Sequence, residues 1–325
     1  MDDRIPATAP LKSLLQAWRQ DPNATYRTWF LWEERLKNFR SIRRGLQAVT
    51  GEIAAGKFGN LYRGSSLETV VHSVAEQRQI FKGADHAFLW KPKLRIPDIY
   101  ESEENQRAFG QFLNACVGCG EEDDLIAAIQ RLDARRIKGL GPAVANLLYF
   151  LHPTLVPPSN TAIVKGYNAL TGGKVKLGSW PDYLAMRRGI LRLNEQYHEL
   201  LSNDLGAIAG LLFDVGSGHY PAPPLTNDVG AMSIWVEDLA RVRSEAEQAS
   251  TTPARDADRT HTQIQAWLRD LGRALGFQVW IAANDQGRLY EGVPLSDGCC
   301  RELPERVVAA PGAEAVRLID VLWLE

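Results

Sequence analysis

DLIAAIQRLDARRIKGLGPAVANLLYFLHPTLVPPSNTAIVKGYNAL, Asp124 to Leu170, decides how this chain folds. Leu125, Ile126, Ile129 and Leu132 recur at helical spacing, and Pro142 opens a second apolar segment, Ala143 to Leu151. Between them Ile137-Lys138-Gly139-Leu140-Gly141 makes a tight turn. A hairpin of this kind points backbone N–H groups of the second helix at solvent, where they and the helix dipole suit a phosphate. Gly139 and Gly141 let the backbone approach closely, Pro142 suits the first helical position, and Lys138 adds a direct charge contact. A glycine pair between helices is also an ordinary connection. An extended crossing follows, Val156-Pro157-Pro158, and then a third apolar helix, Ala162 to Leu170, for which Ser159 or Asn160 is a natural N-cap.

This order resembles the helix-hairpin-helix superfamily of DNA glycosylases. That family has a hairpin of the form L-x-G-V-G, a helix, a short crossing and V-D-T-H at the head of a further helix. Here Ile137 to Gly141 and Ser159-Asn160-Thr161-Ala162 occupy those places. The family's catalytic Asp falls on Asn160, and the Lys of its lyase members has no counterpart in Pro142-Ala143-Val144. The resemblance implies a mainly α, two-lobed domain over residues 1–230 that grips double-stranded DNA through Lys138, Gly139, Leu140, Gly141 and Pro142. It further implies a monofunctional glycosylase that flips out a modified base and hydrolyses its glycosidic bond, with Asn160 holding the attacking water. Gln77 and Gln79 resemble the glutamine-bearing helix that borders the base pocket in that family. Iron–sulfur members carry four closely spaced cysteines, whereas here Cys116/Cys119 and Cys299/Cys300 form two distant pairs. Reduced structural thiols are the expectation, with no metal and no cofactor.

Phe81 to Tyr100 is aperiodic and concentrates Lys82, Asp85, His86, Trp90, Lys91 and Lys93. Trp90 is a candidate stacking wall for an extruded base and Asp85 a second candidate catalytic residue in addition to Asn160; the alternatives for Trp90 and Asp85 are a core anchor and a turn residue. Arg27 to Val49 reads as one long helix with Trp29, Trp32, Leu36 and Phe39 inward, and its basic cluster Arg35/Lys37/Arg40/Arg43/Arg44 reads equally as a DNA contact or a solvated face. Leu67 to Phe81, Asn105 to Cys116, Trp180 to Leu201 and Asp204 to Val215 complete the helical pattern.

Charge is unevenly spread: 27 basic against 24 acidic residues over 1–230, and 10 against 15 over 231–325. Any nucleic-acid contact therefore belongs to the first part. No long apolar run or signal-type N-terminus occurs, so a cytoplasmic protein, monomeric and off the membrane, is expected. Residues 231–259 read as a short helix (Ala231 to Val242) and a flexible linker, and 260–325 as a small α/β module. In that module, helix Thr260–Leu275, strand Phe277–Ala283 and a buried strand Glu314–Glu325 look like the first half of a PD-(D/E)XK restriction-nuclease domain. Its Mg²⁺-binding aspartate would be Asp320, without the acid-x-Lys strand that completes such a site, which implies a degenerate accessory module. Two functions follow from these patterns. One is a DNA glycosylase acting on modified bases, in anti-phage defence. The other is a catalytically silent DNA-binding subunit of a restriction or defence system.

Overall fold

A computed structural model describes residues 8–32, 34–82, 98–226, 228–251, 253–282, 285–308 and 319–324. The chain divides into two units, Met1–Ala246 and Glu247–Glu325. It is mainly α with a small α/β region toward the C-terminus, as the sequence pattern implies. Among the described residues no helix is long and apolar enough to cross a membrane.

The first unit contains α1 (Thr8–Gln20), a π-helical turn (Tyr26–Phe30), α2 (Glu34–Ala54), α3 (Ser66–Ala75), α4 (Glu103–Gly118) and α5 (Glu122–Ala134). A 3-10 turn (Pro142–Val144) then runs into the short α6 (Ala145–Tyr149), followed by α7 (Thr161–Thr171), α8 (Trp180–Gln196) and α9 (Gly206–Gly216), and α10 (Val229–Thr251) begins in this unit and crosses its boundary. One cluster of buried side chains runs from Leu11 on α1 to Leu239 on α10. Its closest packing is between α7 and α9. A Cβ on Gly166 would lie 1.9 Å from the Leu212 carbonyl oxygen, and one on Gly216 would lie 1.8 Å from that of Ala162. Only glycine lets these two backbones meet.

The long helix expected over Arg27 to Val49 is broken by the π turn. One extra residue in the turn buries the neighbours Trp29 and Phe30, and swings Leu31 and Trp32 outward. Leu36 also faces solvent, so only Trp29 and Phe39 of the four expected core residues point inward. Arg35 leaves the exposed basic cluster altogether. Its guanidinium is buried over the rings of Trp29, Phe30 and Phe39 at 5.0, 4.5 and 5.4 Å, and it donates to Asp204 Oδ2 at 2.7 Å and Tyr149 Oη at 2.9 Å. A buried charge is tolerable only with such partners. Burial, and then the Asp204 carboxylate, push the Tyr149 phenol well above its ordinary pKa, so it stays a donor to Asp204 Oδ1 at 2.8 Å.

α3 ends at Ala75, earlier than the expected Phe81, so Gln77 and Gln79 lie in turns rather than on a helix. The expected linker over Ser244 to Arg259 is instead helical: α10 continues to Thr251 and α11 (Pro253–Ala274) starts on a proline, the residue suited to a first helical position. Ala, Glu, Gln and Arg dominate this stretch, and helix propensity outweighs its polarity.

In the second unit β1 (Gln278–Ile281) pairs antiparallel with β4 (Val321–Leu324), in register Gln278 with Leu324 and Ile281 with Val321. A hairpin the sequence pattern did not suggest, β2 (Leu289–Tyr290) and β3 (Val293–Pro294), and the short α12 (Glu305–Val308) lie between them. β4 is shorter than expected and only half-buried; the burial is on β1, at Val279, Trp280 and Ile281.

Candidate nucleic-acid interface

The hairpin forms between α5 and the 3-10 turn. Gly139 sits at φ +86°, a left-handed conformation that favours glycine. Ile137 and Leu140 are buried and anchor the turn. Its carbonyls are consumed by the protein: the Asp98 N–H donates to Lys138 O at 3.1 Å and the Trp180 indole to Leu140 O at 3.1 Å. Among the described residues the N–H groups of Gly139 and Gly141 meet no acceptor, so the turn turns its donors outward. Gly141 has φ −84°, and a Cβ there would only reach Gly178 O at 3.7 Å. The local fold therefore leaves room for a side chain at 141.

The hairpin and the head of α7 border one cleft of about 520 Å³. Two contacts place them together. Asn146 on α6 exchanges hydrogen bonds with the Ser159 backbone (2.9 and 3.1 Å), and the Tyr183 hydroxyl donates to Pro157 O at 2.8 Å. These pin the proline crossing to α6 and α8. Lys82 and Arg136 line the cleft and are exposed, Lys138 stands exposed on the turn itself, and Lys174 and Lys176 flank the lining residue Leu177. Among the described lining residues Asp133 is the one carboxylate. Outward amides under a cluster of cations suit an anion such as a phosphate.

Asn160 lines this cleft as the N-cap of α7. Its Oδ1 accepts from the Ile163 N–H at 2.9 Å, and its Nδ2 donates to Ile80 O at 2.6 Å. Both ends of the amide are thus engaged in holding α7 and the end of the α3 turn. Gln79 bonds Thr28 across 3.0 Å and does not line the cleft, while Gln77 is buried against the Trp29 indole at 2.9 Å. Asp85 and Trp90, with His86, Lys91, Lys93 and Arg95, lie outside the described residues. Asp214, a further carboxylate of the helical unit, is buried and accepts from Trp18 Nε1, Thr25 N and Thr25 Oγ1 at 2.7–2.8 Å, so it ties α1 and the π turn to α9. Periodicity cannot reveal this network, because Trp18 and Thr25 lie 196 and 189 residues from Asp214 in the chain.

Cys116 is buried, and that burial pushes its thiol up to about 12, so it is an inert core thiol; its neighbour Cys119 donates to Glu121 O at 2.9 Å. In the second unit Asp320 precedes β4, and its carbonyl accepts from Ala282 N at 3.0 Å. The nearby Asp285 is paired with Arg288 at 2.8 Å and Gln265 at 2.7 Å. Among the described residues no three His, Cys, Asp or Glu side chains come together, and this set does not fit a divalent cation. Glu325 lies outside the described residues.

Residues 241–325 match the family model of the type II restriction enzyme NmeDI C-terminal domain. The C-terminal region resembles a restriction-enzyme domain. The type II restriction enzyme NmeDI of Neisseria meningitidis serogroup C is 38% identical over 73 residues, which is 21% of this chain and 21% of that protein. No solved structure matches the chain. These findings correct the expected enzyme class. The relationship is to a restriction enzyme rather than to a DNA N-glycosylase, and none of the matches is to a helix-hairpin-helix glycosylase. The hairpin pattern misled because a glycine turn before a short helix is a way of contacting phosphate, and carries no base-excision chemistry by itself.

Proposed function

We propose that this chain is a DNA-binding component of a restriction or related defence system. Its helical unit holds the DNA backbone at the cleft beside Lys138–Gly141, and its C-terminal region is a restriction-enzyme-type module. The observation that carries the reading is the match of residues 241–325 to the NmeDI C-terminal domain. The cleft supports it with two outward glycine amides, with Lys82 and Arg136 on its lining and Lys138 on the adjoining turn, and with Asp133 as the one carboxylate among the described lining residues. Contacts of that kind fix the position of a phosphate backbone and do not read sequence.

Fluorescence anisotropy with a labelled duplex tests this. Lys138→Gln is expected to weaken binding to all sequences alike and to lower the slope of log affinity against log salt by about 0.9, the value of one phosphate contact. Gly141→Leu, whose backbone conformation other residues adopt, is expected to fold normally and bind more weakly. Unchanged affinity and slope in both variants would remove the cleft from the interface. The same samples incubated with Mg²⁺ report on strand cleavage: cleavage lost in Asp320→Ala would make the chain the cutting subunit rather than a binding one.

A further inference from the structure

α2 carries a second surface that the cleft does not use. From Arg35 to Gly51 the sequence holds five basic residues and no acidic one; Glu33 and Glu34 precede this stretch and Glu52 follows it. Ile42, Leu46, Val49 and Ile53 face the core, and Arg35 is withdrawn into its buried pair with Asp204. Lys37, Arg40, Arg43, Arg44 and Gln47 face outward. Arg43 donates to Leu151 O at 3.2 Å and Arg44 to Arg40 O at 3.4 Å, contacts that orient each guanidinium and leave further donors on it. The π turn sets Leu31 and Trp32 at the head of this face, 47% and 44% exposed, beside Leu36 at 59%. Beyond Gln47 the face runs into a groove of about 880 Å³ between α2 and α4, lined by Thr50, Arg107, Gln111 and Asn114 and, among the described residues, by no carboxylate, although Arg107 pairs with Glu103 at 2.8 Å.

We infer that this face binds a single strand of DNA, with the α2 arginines on its phosphates and Trp32 stacked on an unpaired base. The inference rests on the DNA-binding reading above and adds a second contact to it. Charge argues for a polyanion, since a solvated helix face ordinarily mixes both signs. An exposed indole and leucines beside arginines distinguish a strand with open bases from a paired duplex, whose bases present no face to stack on. Gln47, Gln111 and Asn114 offer amide donors and acceptors where the strand would continue.

The test compares a labelled blunt duplex with the same duplex carrying a single-stranded extension, each titrated with the full chain. The extension is expected to tighten binding. Arg40→Gln/Arg44→Gln should lower the salt slope on the extended DNA by about 1.4, two single-strand contacts at roughly 0.7 each. Trp32→Ala should weaken the extended DNA on the order of ten-fold and the blunt duplex less than about two-fold, with Trp32→Tyr restoring most of the loss. All these positions are exposed, and unchanged thermal unfolding confirms that the variants fold. The inference fails if the extension adds no affinity, if the arginine variant keeps the parental slope, or if Trp32→Ala weakens both DNAs equally, the sign of a duplex contact. A parent protein that binds neither DNA would sink the DNA-binding reading itself. Loss in the Lys138 variant with no change in the α2 variants would sink this inference alone.

Discussion

Asn160 uses both ends of one amide: the oxygen caps α7 through Ile163 N and the nitrogen satisfies Ile80 O. Asn160→Ala removes a cap and leaves a partly buried carbonyl without its donor. The expected cost is about 1–2 kcal/mol of stability, read from urea unfolding, with DNA affinity kept within about two-fold. A variant as stable as the parent would show the cap to be dispensable. The capping role was visible in the sequence, because a cap depends on residues within one turn. The hairpin glycines were visible for the same reason. Residues governed by distant partners were not: Arg35 reads as one more cation of a basic run until Asp204 and Tyr149, far along the chain, fold against it. Trp29, whose indole meets Gln77, and Trp32, turned to solvent, likewise cannot be told apart by α-helical periodicity, because Trp29 lies in a π turn and Trp32 just after it, ahead of α2.

Among the elements, α7 and α9 give a case in which two known effects oppose each other. Helix propensity alone makes Gly166→Ala stabilising by about 1 kcal/mol. The backbone contact makes it destabilising, because the new Cβ would lie 1.9 Å from Leu212 O, a main-chain atom that cannot rotate away. Overpacking of this kind costs about 3 kcal/mol or more, so packing should win and urea unfolding should show a clear loss. A gain in stability would mean that the two helices separate at little cost. The existence and order of the helices from α3 to α9 were legible, since each buries an apolar stripe. Their ends were less so. α6 is one short α turn after a 3-10 segment, and α10 and α11 cover the polar stretch that composition marks as a linker, because good helix formers and polar linkers share residue types.

At the scale of the molecule the two units differ in what holds them. The first has a continuous core reaching from α1 to α10, whereas among the described residues of the second the core cluster is Ala266, Val279, Ile281 and Leu295, with Trp280 also buried and a few half-buried neighbours. On α11 of this unit Thr262, Gln265 and Arg269 are buried while Ile264, Trp267, Leu268 and Leu271, with Leu275 just after the helix, are exposed, so apolar surface that would enlarge the small core faces away from it. Buried polar groups here are held by pairs such as Gln265 with Asp285 and Arg269 with Pro294 O, which offset desolvation more than they add stability. Local opening should therefore be far easier in the second unit. In hydrogen exchange followed by mass spectrometry, amides of β1 and β4 are expected to exchange well before those of α7 and α9, under conditions where global unfolding is rare. Equal protection of β1 and α9 would contradict this. The charge balance of the sequence points to the first unit as the place for DNA. Adding the extended duplex should slow exchange at Lys138–Val144 and along α2 directly; slowing at β1 as well would mean that DNA also stabilises the second unit.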